Sequence, residues 1–138
     1  MVIEFFIPQD PQGKKAPVAA KIGGFTRILK AAKTRKYEAM VSLFASEAMQ
    51  GRSPLDEPVS VHLAVWLAIP ASWSAKKRAQ ALAGLIRPTV KPDCSNVAKA
   101  IEDGCNGIVF VDDKQVTDLT VAKRYGNPPG VAVMVRSA

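Results

Sequence analysis

The chain has 138 residues, of which 48% are hydrophobic and 22% charged, a length and composition that favour one globular domain and exclude a wholly disordered chain. Nineteen Lys and Arg oppose twelve Asp and Glu, which gives a net charge of +7 at pH 7. This excess favours a polyanionic partner such as nucleic acid, although charge alone leaves open an ordinary basic protein.

Hydrophobic patterning predicts the elements of the first third. Val2–Ile7 is predicted to be a strand closed by Pro8. Residues 9–24 are rich in Gly, Pro and Lys and are predicted to form a long mobile loop. A short strand follows at Phe25–Leu29, and helical spacing of apolar residues predicts a helix from about Thr34 to Gln50.

Strict alternation then predicts a long strand over Val59–Ile69, ended by Pro70. Ser72 or Ser74 can cap a short helix that runs to about Ala83. The segment 85–92 is predicted to be irregular or extended.

The last third is predicted to contain a helix, Ser95–Cys105, followed by a turn and a short apolar strand, Ile108–Val111. Two further strands, Gln115–Tyr125 and Val131–Arg136, are predicted to form a hairpin across an Asn-Pro-Pro-Gly turn. These elements predict an α+β fold: a single domain with one mixed β-sheet and helices packed mainly on one face.

The basic residues are concentrated in two segments. No acid lies between Asp10 and Glu38, and the lysines and arginines of that stretch are interleaved with glycines. Such a segment can follow a phosphate backbone and release its counterions, so we predict that it binds DNA without reading sequence. The alternative for both segments is a solvated loop or helix face. The long acid-free stretch makes this alternative weaker for the first segment than for the second, residues 76–78. The predicted DNA-binding residues are Lys14, Lys15, Lys21, Arg27, Lys30, Lys33, Arg35, Lys36, Lys76, Lys77 and Arg78.

The acids are clustered instead: five of the twelve fall between Asp93 and Asp113. Two carboxylates about 4 Å apart repel by ~1 kcal/mol in water, and a divalent cation between them reverses that repulsion. A basic surface around an acidic metal pocket is what a nuclease needs, because the surface holds the phosphodiester and the carboxylates hold the metal.

Local geometry predicts which acids meet. Asp93 precedes the predicted helix that carries Lys99, and Asp112 and Asp113 follow the next predicted strand. A helix start and an adjacent strand end can lie side by side, which brings Asp93 and Asp113 together with Lys99 at the rim. The alternative is that Asp93 caps the helix while Asp112 and Asp113 open a turn, and spacing alone does not decide between them.

The stretch Pro92–Val116 resembles the signature of the RusA family of Holliday-junction resolvases. That signature runs Pro-Asp-x-Asp-Asn-x-x-Lys, an aspartate in the same helix, Asn-Gly, an apolar strand and Asp-Asp-x-Gln-Val. The chain has Pro92-Asp93-Cys94-Ser95-Asn96-Val97-Ala98-Lys99 and Asp112-Asp113-Lys114-Gln115-Val116 at these places. The long strand and the closing hairpin also fit the family plan, whereas the N-terminal third matches only in its basic character.

The resemblance implies a RusA-like domain over residues 1–138 and a small homodimeric endonuclease of phage or prophage type. Such enzymes bind branched DNA and cut two strands of a four-way junction symmetrically in recombination and repair, with Mg²⁺ or Mn²⁺. Carried over by position, Asp93, Lys99 and Asp113 match the essential catalytic residues. Asp93 and Asp113 are the implied metal ligands, with Ser95 and Asp112 as further candidates.

Ser95 departs from the family pattern, which has a metal-binding aspartate there. A serine hydroxyl ligates Mg²⁺ weakly and brings no charge. Three interpretations stay open: a natural variant that uses Asp103, Asp112 or water instead, a junction-binding dimer with impaired or no nuclease activity, or an introduced substitution. An RNA-binding protein is a weaker alternative, since the few aromatic residues form no evident stacking platform.

Other sequence features indicate the compartment of the protein and the partners that it lacks. Its longest apolar run, Leu63–Ile69, is far short of the ~20 residues that a membrane span needs. No secretory signal is visible in Met1–Asp10, and Cys94 and Cys105 do not resemble a disulfide framework. We therefore expect a cytoplasmic protein with no membrane partner and no small-molecule cofactor.

Overall fold

A mixed four-stranded sheet and a separate two-stranded hairpin form the β-structure of the molecule. The structure is a computed structural model that describes residues 1–138. Its strands are β1 (Val2–Ile7), β2 (Val18–Ile22), β3 (Phe25–Leu29), β4 (Val59–Leu67), β5 (Val116–Tyr125) and β6 (Gly130–Ser137). Its α-helices are α1 (Ala32–Met49), α2 (Ala75–Leu82) and α3 (Cys94–Cys105), and a 3₁₀ turn, Asp113–Gln115, precedes β5. The predicted single α+β domain is confirmed.

The core lies between one face of the large sheet and the helices α1 and α3. Alternate residues of β4 and β6 are buried there, including Val61 and Val133. The two helices approach closely at Gly104, because a Cβ at this position would collide with the side chain of Val41. The Ser42 hydroxyl donates to the Gly104 carbonyl oxygen at 2.7 Å across the same contact. This packing fixes α3 and the residues on its outer face.

The strand order of the large sheet is β1-β6-β4-β5. Strand β6 runs antiparallel to both β1 and β4, while β5 runs parallel to β4 at the edge. The predicted hairpin between β5 and β6 is therefore wrong. The apolar strand β6 takes a central place, and the more polar β5, with Thr117, Asp118 and Thr120, takes the edge.

Two further predictions are corrected. Residues 9–24 are not all loop, because β2 pairs with β3 across a turn in which Gly23 and Gly24 have φ of 60° and 82°. The segment 108–111 is not a strand either: it forms a turn, and only Phe110 bridges to Leu55. Val109 and Phe110 are nevertheless buried in this turn.

The remaining elements lie where the sequence predicts them. Strands β1 and β3 have the predicted bounds, and α3 begins one residue early. Ser74 is the residue that caps α2, with its hydroxyl accepting from the backbone N–H of Lys77 at 3.2 Å. None of the helices combines the length and the hydropathy that crossing a membrane requires.

Candidate active site

Helix α3 turns one face to the core and the other to solvent. Val97, Ile101 and Cys105 are buried, whereas Ser95 and Lys99 are exposed one turn apart. Asp93 is the N-cap residue, but its side chain makes no capping hydrogen bond. Its carboxylate is exposed and therefore remains available to a ligand.

Lys99 is the centre of the ionic contacts in this region. Its Nζ lies 2.9 Å from Asp113 Oδ2 and 3.2 Å from Asp103 Oδ1. The hydrogen bond to Asp113 is the largest influence on the pKa of Lys99, and with the added effect of the nearby Asp103 it holds that pKa well above its usual range against the opposing effect of burial. Lys99 therefore stays an ammonium ion at every pH of physiological interest.

Asp103 is shared between two lysines. Besides Lys99, the Lys14 ammonium donates to Asp103 Oδ2 at 2.8 Å. Burial raises the pKa of the Asp103 carboxyl, but the hydrogen bonds from Lys14 and Lys99 outweigh that effect and leave it below its usual range. Asp103 thus links the N-terminal basic segment to the lysine of the site.

Glu102 lies in the same acidic neighbourhood. Burial, and after it the negative charge of Asp113, raises the pKa of the Glu102 carboxyl, and Lys99 only partly offsets this. The carboxylates of Asp103 and Asp113 are therefore close enough to Glu102 to disfavour its ionised form.

The 3₁₀ turn holds Asp113 in place. Asp112 caps this turn by accepting from the backbone N–H of Lys114 at 3.1 Å, a bond that lowers the pKa of its carboxyl. The Gln115 side chain closes the capping box by accepting from the Asp112 N–H at 2.8 Å. Its amide also donates to the carbonyl oxygens of Leu55 and Glu57, so the turn is fixed against the rest of the chain.

A lysine-rich cleft adjoins Asp93. Two depressions of about 280 and 260 Å³ share Gly13, Lys15 and Lys91, and they extend from Lys33 to Asp93. Gly13 permits the close approach of the N-terminal loop, because a Cβ there would lie 2.9 Å from the Asn96 Cβ. None of the three lysines Lys15, Lys33 and Lys91 takes part in an ion pair within the chain.

Several other predicted DNA-binding residues have partners inside the chain. Lys30 pairs with Glu38 at 2.6 Å, and Arg35 donates to the Lys30 carbonyl oxygen. On α2, the Lys77 ammonium lies 4.0 Å from the centre of the Trp73 ring, and Arg78 donates to the Pro70 carbonyl oxygen. Lys21 and Arg27 lie on the β2–β3 hairpin, and Lys36 and Lys76 are exposed on α1 and α2.

The structure thus joins Lys99 to Asp113, as the sequence predicts, and places Asp93 beside the lysine-rich cleft. No three His, Cys, Asp or Glu side chains converge in a way that could hold a metal ion. Sequence reasoning missed Lys91 in the cleft and the link from Lys14 to Asp103. A lysine two residues before Asp93 is the only sequence signal that could have drawn attention to Lys91.

Comparison with known proteins identifies a family and one relative. The model of the family described as endodeoxyribonuclease RusA matches residues 8–136. The chain is also 35% identical over 136 residues to the uncharacterized protein YqaN of Bacillus subtilis (strain 168), an alignment that spans 97% of this chain and 95% of that protein. The family match includes every residue of the site described above.

Proposed function

The chain belongs to the RusA family of endodeoxyribonucleases, and we propose that it is a metal-dependent endonuclease that resolves four-way DNA junctions by paired strand cleavage. The observation that carries the proposal is the contact of Lys99 with Asp113 inside the family motif, 2.9 Å between Nζ and Oδ2. An exposed ammonium beside acidic oxygens, next to a cleft in which Lys15 and Lys91 are free of ion pairs, suits a reaction at a phosphodiester.

The donor set suits Mg²⁺ by its chemistry. Mg²⁺ prefers oxygen ligands and is usually held by one or two carboxylates, with water and substrate phosphate completing its shell. Asp93 and Asp113 are the residues that would hold it, with Mn²⁺ as a substitute and Ser95 as a neutral neighbour. When bound, the metal would polarise the scissile phosphate and favour hydroxide formation from water.

Lys99 would neutralise the negative charge that grows on oxygen in the transition state. Its ammonium donates to the Asp113 carboxylate in the free protein, and nearly half of its side chain is exposed, 48%. It can therefore turn from Asp113 to a phosphate oxygen or a leaving oxygen, where negative charge grows in the transition state. Asp103 contacts the same ammonium at 3.2 Å and would remain a partner of Lys99 during that exchange.

The cleft would bind the DNA backbone without reading its base sequence. Lys15, Lys33 and Lys91 line a surface that leads directly to Asp93 and Asn96. Phosphates docked there release counterions and place the backbone beside Lys99 without any base contact. Lys21 and Arg27 add positive charge to the β2–β3 hairpin, on its opposite faces, since Arg27 pairs with Ala20 and Lys21 with Thr26.

Paired cleavage needs two sites. A four-way junction has two-fold symmetry, and a homodimer with one site in each subunit matches it. We therefore propose that the active species is a dimer of this chain.

Ser95 favours a second candidate, a junction-binding dimer with little or no nuclease activity. The residue is exposed on the same helix face as Lys99, where the family motif has an aspartate. Without that carboxylate, and with Asp113 engaged by Lys99, metal binding is weakened while the basic cleft is intact.

One experiment separates the two candidates. A labelled four-way junction is incubated with the protein across a series of Mg²⁺ and Mn²⁺ concentrations, and binding is measured in EDTA. Symmetric paired nicks that require the metal and vanish in Asp113→Asn support the nuclease, with Asp56→Asn, an exposed aspartate outside the site, as the matched control. Tight binding in EDTA with no cleavage at any metal concentration identifies the binding module instead.

A further inference from the structure

The β2–β3 hairpin, residues 18–29, is an exposed element without a core of its own. Ala20 and Leu29 are partly buried, and every other residue of the hairpin is exposed. A two-stranded hairpin with both faces in water is marginally stable at best. This hairpin nevertheless carries large apolar side chains in water, with Phe25 74% and Ile28 71% exposed. Such a surface is typical of an element that a partner covers.

Two of the apolar side chains lie at the tip of the hairpin. Ile22 and Phe25 are directly paired beside the Gly23-Gly24 turn, so their side chains lie together on one face. The positive φ of both glycines permits a turn of only two residues, which keeps the tip narrow. The hairpin therefore ends in one aromatic and one branched aliphatic side chain.

The base of the hairpin is anchored to the rest of the protein. The Lys15 backbone N–H donates to the Thr34 hydroxyl at 3.0 Å, which joins the chain that enters β2 to the helix that follows β3. The Lys30 ammonium, one residue after β3, lies 2.6 Å from the carboxylate of Glu38 on α1. With five paired residues in each strand, the tip stands roughly 15 Å from this base. An apolar tip thus projects from a fixed starting point.

The charges of the hairpin indicate the partner that it fits. The hairpin contains no acid, and neither Arg27 nor Lys21 takes part in an ion pair within the chain. Arg27 lies on the same face as Phe25, two residues away along β3. The base of the hairpin is continuous with the lysine-rich cleft, which Lys15 and Lys33 line. Unpaired cations beside an apolar tip, continuous with a cationic cleft, are complementary to the phosphates and base stack of DNA.

We propose that the tip of the β2–β3 hairpin is a wedge that inserts Phe25 and Ile22 into the base stack at the branch point of a DNA junction, while Arg27 contacts a neighbouring phosphate. Apolar side chains of this kind enter base steps and unstack them. Unstacking costs least where the stack is already interrupted, as it is at a branch point, and more in a continuous duplex. The wedge therefore selects branched over linear DNA. It rests on the proposed function for its DNA partner, and it requires junction binding but not cleavage.

The first test compares the binding of a labelled four-way junction with that of a linear duplex of the same arm sequence, by fluorescence anisotropy in EDTA. Phe25→Ala should raise the junction Kd by about tenfold, because it removes a stacking contact with a base. The duplex Kd should stay within about twofold of the parent value, because phosphate contacts dominate it. Phe25→Trp keeps a large ring and should retain the junction preference. Leu43→Ala, at a 58% exposed leucine of α1, is the matched control and should bind like the parent.

The second test reports insertion directly. A 2-aminopurine base at the branch point fluoresces more strongly when it loses its stacking partners. The parent and Leu43→Ala should both raise this fluorescence on binding, whereas Phe25→Ala at saturating protein should give a much smaller rise. Circular dichroism melts check the fold of each variant, and Ile22→Ala carries both tests should Phe25→Ala not fold.

Three results would overturn the wedge while the proposed function stands. Phe25→Ala could keep both the junction preference and the fluorescence rise, which would show that the tip does not insert. An equal loss of affinity for junction and duplex would make the tip a general DNA contact. A change in the sedimentation of Phe25→Ala without DNA would show that a second copy of the chain covers the tip instead.

Two results concern the proposed function. A parent that binds junctions no better than duplex would overturn the wedge and the proposed function together. A parent that binds junctions tightly but cuts none at any Mg²⁺ or Mn²⁺ concentration would contradict the nuclease alone, and the binding and fluorescence data would still decide the wedge.

Discussion

The Lys14 ammonium donates a hydrogen bond to Asp103 Oδ2 at 2.8 Å, although the two residues are 89 positions apart in the sequence. A second bond joins the same two elements, from the Lys14 N–H to the Asn96 carbonyl oxygen at 3.3 Å. These two bonds therefore attach the N-terminal basic loop to α3, the helix that carries Lys99. Lys14 thus has a structural contact in addition to the DNA contact that its charge predicts.

This link should be visible in the stability of the protein at different pH values. The pKa of Asp103 is lower in the folded state than its ordinary value of 3.8, so its contribution to stability is present above that value. It is lost as the pH falls through the lower folded pKa. Because both side chains are partly exposed, 30% for Lys14 and 14% for Asp103, we expect Asp103→Asn to lower the free energy of unfolding by about 1 kcal/mol near neutral pH.

Urea unfolding between about pH 7 and pH 3 measures this effect. The difference between Asp103→Asn and the parent should shrink toward acid pH. Asp56→Asn, an exposed aspartate without an ion pair, is the control. An equal difference at all pH values would mean that the ion pairs of Asp103 are not its source.

Local patterns account for the parts of the fold that were predicted correctly. Alternation defines β1 and β4, and Ser74 marks the start of α2, because these features depend on residues close in sequence. The β5–β6 hairpin was predicted wrongly because a turn sequence says nothing of a third strand that inserts between its neighbours. Strand β2 was missed since its Val-Ala-Ala-Lys-Ile sequence has no clear apolar alternation.

The candidate site shows the same difference between contacts that are local in sequence and contacts that depend on tertiary packing. The contact of Lys99 with Asp113 could be predicted because the helix and the following turn are adjacent in sequence. The convergence of Lys15, Lys33 and Lys91 could not, since it depends on how the N-terminal loop folds over α3. Charge density predicted a basic surface, and only tertiary packing selected which cations remain unpaired.

The lysine-rich cleft makes a prediction about salt. If Lys33 and Lys91 each contact one phosphate, Lys33→Ala and Lys91→Ala should each flatten the slope of log K against log salt by ~0.9 for duplex arms. Arg52→Ala removes a cation that is bonded to the end of α1 and should leave the slope unchanged. Fluorescence anisotropy with a labelled junction in EDTA gives the slopes. Slopes equal to that of the parent would show that these two lysines are solvated surface residues and do not contact phosphate.

Asp113→Asn should abolish junction cleavage and leave junction affinity intact or slightly improved. Under the proposed function the metal would lose a ligand, while the removal of a negative charge near bound phosphate would reduce repulsion. Cleavage and anisotropy on the same junction measure the two effects, and a thermal melt checks the fold. If the variant unfolds and loses binding as well, Asp113 is a structural residue.

Lys99→Ala should lower the single-turnover cleavage rate by about 10²–10³-fold, since under the proposed function it removes the ammonium that stabilises charge in the transition state. Junction affinity should change far less. Lys114→Ala is the matched control, because Lys114 is an exposed lysine of the adjacent 3₁₀ turn with no ion pair. A rate within a few fold of the parent would assign charge stabilisation to another residue.

Ser95 lies in the first turn of α3, exposed and on the same face as Lys99. If it occupies the place of a metal carboxylate, Ser95→Asp should tighten Mg²⁺ binding and raise junction cleavage. An aspartate at a helix start is favourable to the helix dipole by about 0.3–1 kcal/mol, so stability should not fall. Any change in rate can then be assigned to the chemistry and not to folding.

Single-turnover cleavage across a Mg²⁺ series decides the role of Ser95. The Ser95→Asp curve should rise at lower Mg²⁺ concentrations than that of the parent and reach a higher rate. Ser53→Asp adds the same charge at an exposed serine outside the site and should follow the parent curve. If Ser95→Asp cuts no better than the parent at any Mg²⁺ concentration, Ser95 does not face the metal or another carboxylate already fills that place. Asp103 is then the first residue to test, because it already contacts Lys99 at 3.2 Å.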